Sequence, residues 1–143
     1  MKPLQAPLFA PKTEYVLPQV FPDLSDAEYI AIDLETRDDS LKENLGMGWP
    51  TKSGYVVGIA IATEGFKGYY PFAHEAGGNL DKKKVLAYLK EVCAIDTVKI
   101  FHNAMYDMGW IKSLGYKING TCYDTMIMAA LADENRMSYK LDS

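Results

Sequence analysis

The chain has 143 residues, 48% of them hydrophobic and 12% aromatic, enough for one domain with a full core. A formal net charge of -4 excludes the strongly basic footprint of a protein that grips duplex DNA through many phosphates, so any nucleic-acid contact should be local or bridged by metal ions. Two cysteines far apart, Cys93 and Cys122, make neither a disulfide framework nor a metal-ligand spacing, and the longest hydrophobic run, YVVGIAIA, is too short to span a bilayer; a cytoplasmic protein with no membrane partner is expected.

Five of the seven prolines fall before Asp23, which predicts an extended arm over residues 1–24 and a folded domain over 25–143. YIAIDLET (29–36) reads as a strand with Ile30, Ile32 and Leu34 on the core face. The polar, glycine-rich RDDSLKENLGMGWPTKSG (37–54) reads as a long loop. YVVGIAIAT (55–63) and GFKGYYPF (65–72) are β-branched and aromatic around a short EG, which suits a hairpin and a three-stranded antiparallel meander. In DKKKVLAYLKEVC the apolar residues recur at helical spacing behind Asp81 as N-cap. TVKIF (97–101) is a buried strand, NAMYDMGWIKSLG a helix closing at Gly115, YKINGTCY a turn with a short edge strand, and DTMIMAALADE a helix capped by Asp124. The order predicts an α/β fold, a mixed sheet with an antiparallel and a parallel half, flanked by helices.

Two places resist a purely structural reading. Tyr29, Ala31, Asp33 and Glu35 share the other face of the first strand, which puts two carboxylates about 6–7 Å apart, a spacing that disfavours ionising both unless a cation lies near. Asp107 sits among Tyr106, Met108 and Trp110 on an apolar helix, where a carboxylate is costly unless paired, solvated or metal-bound. Asn103, four residues earlier, is expected on the same helical face. If the first strand lies beside the strand ending at Phe101, Asp33, Glu35 and Asp107 converge at a carboxyl strand end. Three hard oxygen donors favour magnesium or manganese, and two such ions can support phosphodiester hydrolysis. Asp124 reads as a cap, His102 as satisfied by a backbone or carboxylate partner, His74 as lacking a visible partner, and Tyr69, Tyr70 and Phe72 as packing.

DLET followed by HNAMYD resembles the first two motifs of the DEDD exonuclease superfamily, and its details resemble the 3′–5′ proofreading domain of family A DNA polymerases. CYDTMIMAALADE and SYKLDS resemble later segments of the same domain. The resemblance covers residues 28–143 and implies a ribonuclease H-like fold. It further implies Mg2+ or Mn2+, two ions in the complete domain, held by Asp33, Glu35 and Asp107. Thr36 would lie near the 3′-terminal nucleotide of single-stranded DNA, and Asn103 and Tyr106 would help position that strand or pack the site. The family's third motif, a tyrosine four residues before an aspartate, has no counterpart, since Tyr139 and Asp142 are three apart. The expectation is therefore a fragment, incomplete at its C-terminus and weak or inactive alone. It would belong to a longer polymerase, cellular or phage-type, to whose polymerase domain it is covalently linked. A ribonuclease D-like exoribonuclease and a non-catalytic nucleic-acid or partner-binding module of the same fold are the alternatives.

Overall fold

The computed structural model describes residues 20–51 and 53–132; the start of the proline-rich arm and the Tyr139/Asp142 pair lie outside them. Five strands form one sheet: β1 (Tyr29–Arg37), β2 (Tyr55–Thr63), β3 (Phe66–Pro71), β4 (Val98–Phe101) and β5 (Cys122–Asp124). Their spatial order is β3-β2-β1-β4-β5. The β1/β2 and β2/β3 pairs are antiparallel, and β1/β4 and β4/β5 are parallel, so the mixed sheet read from the sequence is the one formed. The helices are α1 (Asp39–Lys42), α2 (Lys82–Ala94), α3 (Ala104–Ser113) and α4 (Thr125–Ala132). Among the described residues no helix is long and apolar enough to cross a membrane.

The alternation of β1 works as its pattern requires: Ile30, Ile32 and Leu34 are buried, whereas Asp33 and Glu35 are exposed. Ile59 and Ile61 of β2, Tyr70 of β3, and Val85, Leu89 and Val92 of α2 close the same core with Trp110 and Ile111 of α3. Each such side chain contributes about 1.5–3 kcal/mol of transfer free energy. Asp81 caps α2 by accepting from the amides of Lys83 and Lys84. Residues 20–24 form no regular element yet are bound to this body. Phe21 stacks on Tyr70, the hydroxyls of Tyr70 and Tyr88 donate to the carbonyls of Val20 and Pro22, and Leu24 is buried.

Three local expectations are corrected. The long loop after β1 is not wholly irregular, because Asp38 caps the four-residue α1 within it. Asn103 is not on a face shared with Asp107: it precedes α3 in a left-handed conformation (φ 62, ψ 64), with no side-chain cap hydrogen bond. His74 does have a partner, the hydroxyl of Tyr69. In β4, Lys99 is fully buried, its ammonium donating to the carbonyls of Ile95, Thr97 and Asn119. Those acceptors satisfy its three N–H groups, and burial lowers its pKa.

Candidate active site

The site is built where β1 and β4 part. Their parallel pairing runs only over Tyr29–Ala31 and Val98–Ile100, after which β4 gives way to α3. The strand edge beyond Ala31 needs new acceptors, and Asp107 supplies one: its Oδ2 accepts from the amide of Leu34 at 3.4 Å. Leu34 lies between Asp33 and Glu35, so one hydrogen bond brings the helix carboxylate to the strand residue flanked by the other two. A register shift between Glu35 and Thr36 opposes them to Gly58 and Val56, skipping Val57. Such a bulge re-aims the residues after it.

Electrostatics shows how crowded this corner is. Asp107 is only 3% exposed. Burial pushes its carboxyl up to about 8, and the charges of Asp33, Asp124 and Glu35 push the same way against the Leu34 hydrogen bond. Asp33 is also raised, by desolvation, with His102 opposing. His102 bonds Thr125 Oγ1 through Nδ1 at 2.8 Å, so its partner is a hydroxyl rather than the backbone or carboxylate group expected. Its buried Nε2 has no hydrogen-bond partner among the described residues.

The sequence reading missed the reach of Asp124. It does cap α4, accepting from the Met126 amide, but the same carboxylate accepts from the amides of Asn103 and Ala104 at 2.8 Å each. One side chain thus holds the first turns of both helices, which is why Asn103 needs no side-chain cap of its own. Asp38 was missed as well. It is buried and accepts from Leu41 N, Gly48 N and the hydroxyl of Tyr106. Burial alone would raise its pKa, but these hydrogen bonds hold it below the usual carboxylate range. Thr36 Oγ1 lies 2.7 Å from the same Tyr106 hydroxyl, so two of the three residues assigned to the substrate are joined directly. Asn103 stands exposed at the mouth of the helix.

The donor set suits a hard divalent cation: oxygen ligands only, one of them forced toward protonation by burial and then by its neighbours' charges. As they lie, no three His, Cys, Asp or Glu side chains among the described residues are grouped so as to hold a metal ion. The expected convergence is therefore one of strand end and helix face, not a finished chelate.

Comparison with known proteins gives the family and the fold. The chain is 35% identical over 151 aligned positions to a DNA-directed DNA polymerase of Pseudomonas phage M6, covering all of this chain and 23% of that protein. It is 28% identical over 124 positions to DNA polymerase I of Borreliella burgdorferi, covering 86% of this chain and 13% of that one. The chain thus spans less than a quarter of the length of these curated relatives. Among solved structures, NrnC of Brucella melitensis with bound Mg2+ superposes with a TM-score of 0.56 at 17% identity, over 84% of this chain and 53% of that one. The POL domain of Pol1 from M. smegmatis, in complex with DNA primer-template and dNTP, gives 0.53 at 18% identity, over 82% and 18%. At such identities the likeness establishes the fold alone, the ribonuclease H-like α/β layer expected from the sequence. Residues 9–143 match the 3′–5′ exonuclease family of DNA polymerase A type, a family that is generally dependent on divalent metal. With its two acids on a strand end and its third on the helix behind, the chain belongs to that exonuclease family.

Proposed function

We propose that the chain hydrolyses the 3′-terminal phosphodiester of single-stranded DNA, as the proofreading domain of a longer DNA polymerase to which it is covalently joined. The observation that carries this reading is the seat of Asp107, a buried carboxylate on the amide between Asp33 and Glu35, held protonated to about 8 by burial and by their charges. Asp33, Glu35 and Asp107 would hold magnesium or manganese, two ions in the complete domain. Bound there, the metal would supply charge stabilisation for the phosphoryl oxygens and an activated water. Tyr106, its hydroxyl fixed between Thr36 and Asp38, and Asn103, exposed at the start of α3, are placed to position the terminal nucleotide beside these acids. A phenol raised by burial stays a hydrogen-bond donor throughout the neutral range.

The test uses the complete natural protein, 3′-labelled single-stranded DNA and Mg2+. Substituting Asp33, Glu35 or Asp107 with Ala should lower the rate at least about 100-fold, since outer-shell changes at metal sites alone cost 10- to 100-fold. Removing divalent ions with EDTA should stop degradation in the wild type. Undiminished degradation by the Asp33→Ala protein would reject the assignment. Faster degradation of RNA than of DNA would move it to the ribonuclease D-like class. DNA affinity without magnesium or manganese binding would leave a non-catalytic module.

A further inference from the structure

The long loop between β1 and β2 has no part in the reaction as described, yet it is tightly built around one buried carboxylate. Asp38 is 4% exposed. Its Oδ1 accepts from Leu41 N at 3.1 Å, and its Oδ2 accepts from Gly48 N and from the Tyr106 hydroxyl, each at 2.9 Å. Gly48 leaves no room for a side chain, because a Cβ there would lie 2.0 Å from the Ser53 carbonyl oxygen and 2.5 Å from Asp38 Oδ1. With its proton given to Asp38, the Tyr106 oxygen accepts from Thr36 Oγ1 at 2.7 Å. The phenol is therefore fixed on both sides.

The connection to the site follows from sequence adjacency. Tyr106 precedes Asp107, whose carboxylate takes the amide of Leu34, two residues before Thr36. Helix α3 is thus stitched to β1 at two points, 107 to 34 and 106 to 36, and the second stitch is anchored by Asp38. We propose that Asp38 is a positioning residue of this nuclease, which through the Tyr106 hydroxyl fixes the first turn of α3 and so sets where Asp107 meets the strand and the terminal nucleotide. A carboxylate is needed because all three partners are donors. An asparagine would face at least one of them with its own N–H.

The proposal rests on the exonuclease reading, and its test separates the two. In the complete protein, kcat and KM for 3′-labelled single-stranded DNA are measured for Asp38→Asn, Tyr106→Phe, the double variant and Asp33→Ala. Asp38→Asn should lower kcat/KM about 10- to 100-fold, the range of outer-shell changes at metal sites, with most of the loss in kcat. On the Tyr106→Phe background, Asp38→Asn should add less than about twofold, because the link it acts through is already gone. Equal factors on both backgrounds, or wild-type kcat/KM for Asp38→Asn, would overturn the proposal and leave Asp38 as a loop cap alone. Should Asp38→Asn lose its fold by circular dichroism, Asp38→Ser measured on the wild-type and Tyr106→Phe backgrounds takes its place, the Phe ring keeping its seat against Trp110: a kcat lowered about 10-fold or more on the first and less than about twofold on the second supports the proposal, and equal factors or an unchanged kcat overturn it. Equal rates for wild type and Asp33→Ala would instead defeat the exonuclease reading itself.

Discussion

Gly109 lies inside α3, two residues beyond Asp107, where glycine normally costs a helix about 0.5–1 kcal/mol relative to alanine. Its presence has a physical cause. A Cβ built at Gly109 would come within 2.1 Å of Trp49 Cε2, 2.4 Å of Nε1 and 2.6 Å of Cδ2, so the indole of the long loop lies directly on the helix backbone. A rigid ring cannot yield a few tenths of an ångström at its edge; it must move by well over 1 Å to restore contact distances of about 3.5–4.0 Å. Overpacking of this kind costs about 1–3 kcal/mol, so after the helix gain Gly109→Ala should destabilise the protein by about 1–2 kcal/mol. That corresponds to a Tm lower by roughly 4–8 °C for a domain of this size. With Trp49→Ala in place the clash is gone, and adding Gly109→Ala should then raise the Tm by up to about 4 °C. The assay is thermal unfolding by circular dichroism for the four members of the cycle. If Gly109→Ala has the same sign on both backgrounds, the Trp49 contact does not govern this position and the reasoning fails.

Other outcomes follow from the same contacts. Asp124→Ala removes the acceptor for the amides of Asn103, Ala104 and Met126. It should cost about 1–3 kcal/mol in urea unfolding and slow nuclease turnover, because the start of α3 loosens. Without divalent ions, folded Asp107 keeps its proton up to about 8 whereas the unfolded chain releases it near 3.8. Between these values the folded state binds the extra proton, so the Tm should fall as pH rises from 5 to 8, and Asp107→Asn should flatten that fall. A Tm rising over that interval in both proteins would contradict the seat assigned to Asp107. Cys93 is fully buried, which pushes its thiol up to about 12, whereas Cys122 is partly exposed. Iodoacetamide should therefore label Cys122 in the native protein and Cys93 only after denaturation, as read by peptide mass spectrometry.

What was legible in the sequence is what periodicity and composition encode locally. Ile30, Ile32 and Leu34 gave β1 and its buried face, the apolar spacing behind Asp81 gave α2, and an acid stranded in the apolar stretch around Tyr106 and Trp110 pointed to α3 as a functional helix. That TVKIF runs straight into that helix placed its start at a carboxyl strand end, whereas the parallel seat of β4 beside β1 entered only as a condition, which the sheet meets. What stayed hidden depends on partners far apart in sequence. RDDSLKENLGMGW reads as polar loop, and its pattern does not say that Asp38 is buried while Asp39 is exposed; Asp38 takes the amides of Leu41 and Gly48 and also the hydroxyl of Tyr106, 68 residues away. The glycine of DMGWI looks like a weak point in a helix until Trp49 is seen lying on it. Asp124 shows the limit most clearly, since an N-cap is a local signal whereas its bonds to Asn103 and Ala104 are not.

These hidden contacts share a direction, and that bears on how the site works. Trp49 meets α3 at Gly109, Asp38 meets it at Tyr106, Asp124 meets it at Asn103 and Ala104, and Leu34 meets it at Asp107. Four residues from three segments outside α3, namely β1, the β1–β2 connection and β5, thus fix its first two turns, although the helix carries a glycine in its interior and three bulky apolar residues around an acid. Left to itself such a helix has little reason to hold a carboxylate against two others. The buried seat of Asp107 is maintained by anchors distributed around it, so loosening any one of them should let the acid swing away from the strand. Loss of turnover without loss of the fold is therefore the signature expected of substitutions at these anchors.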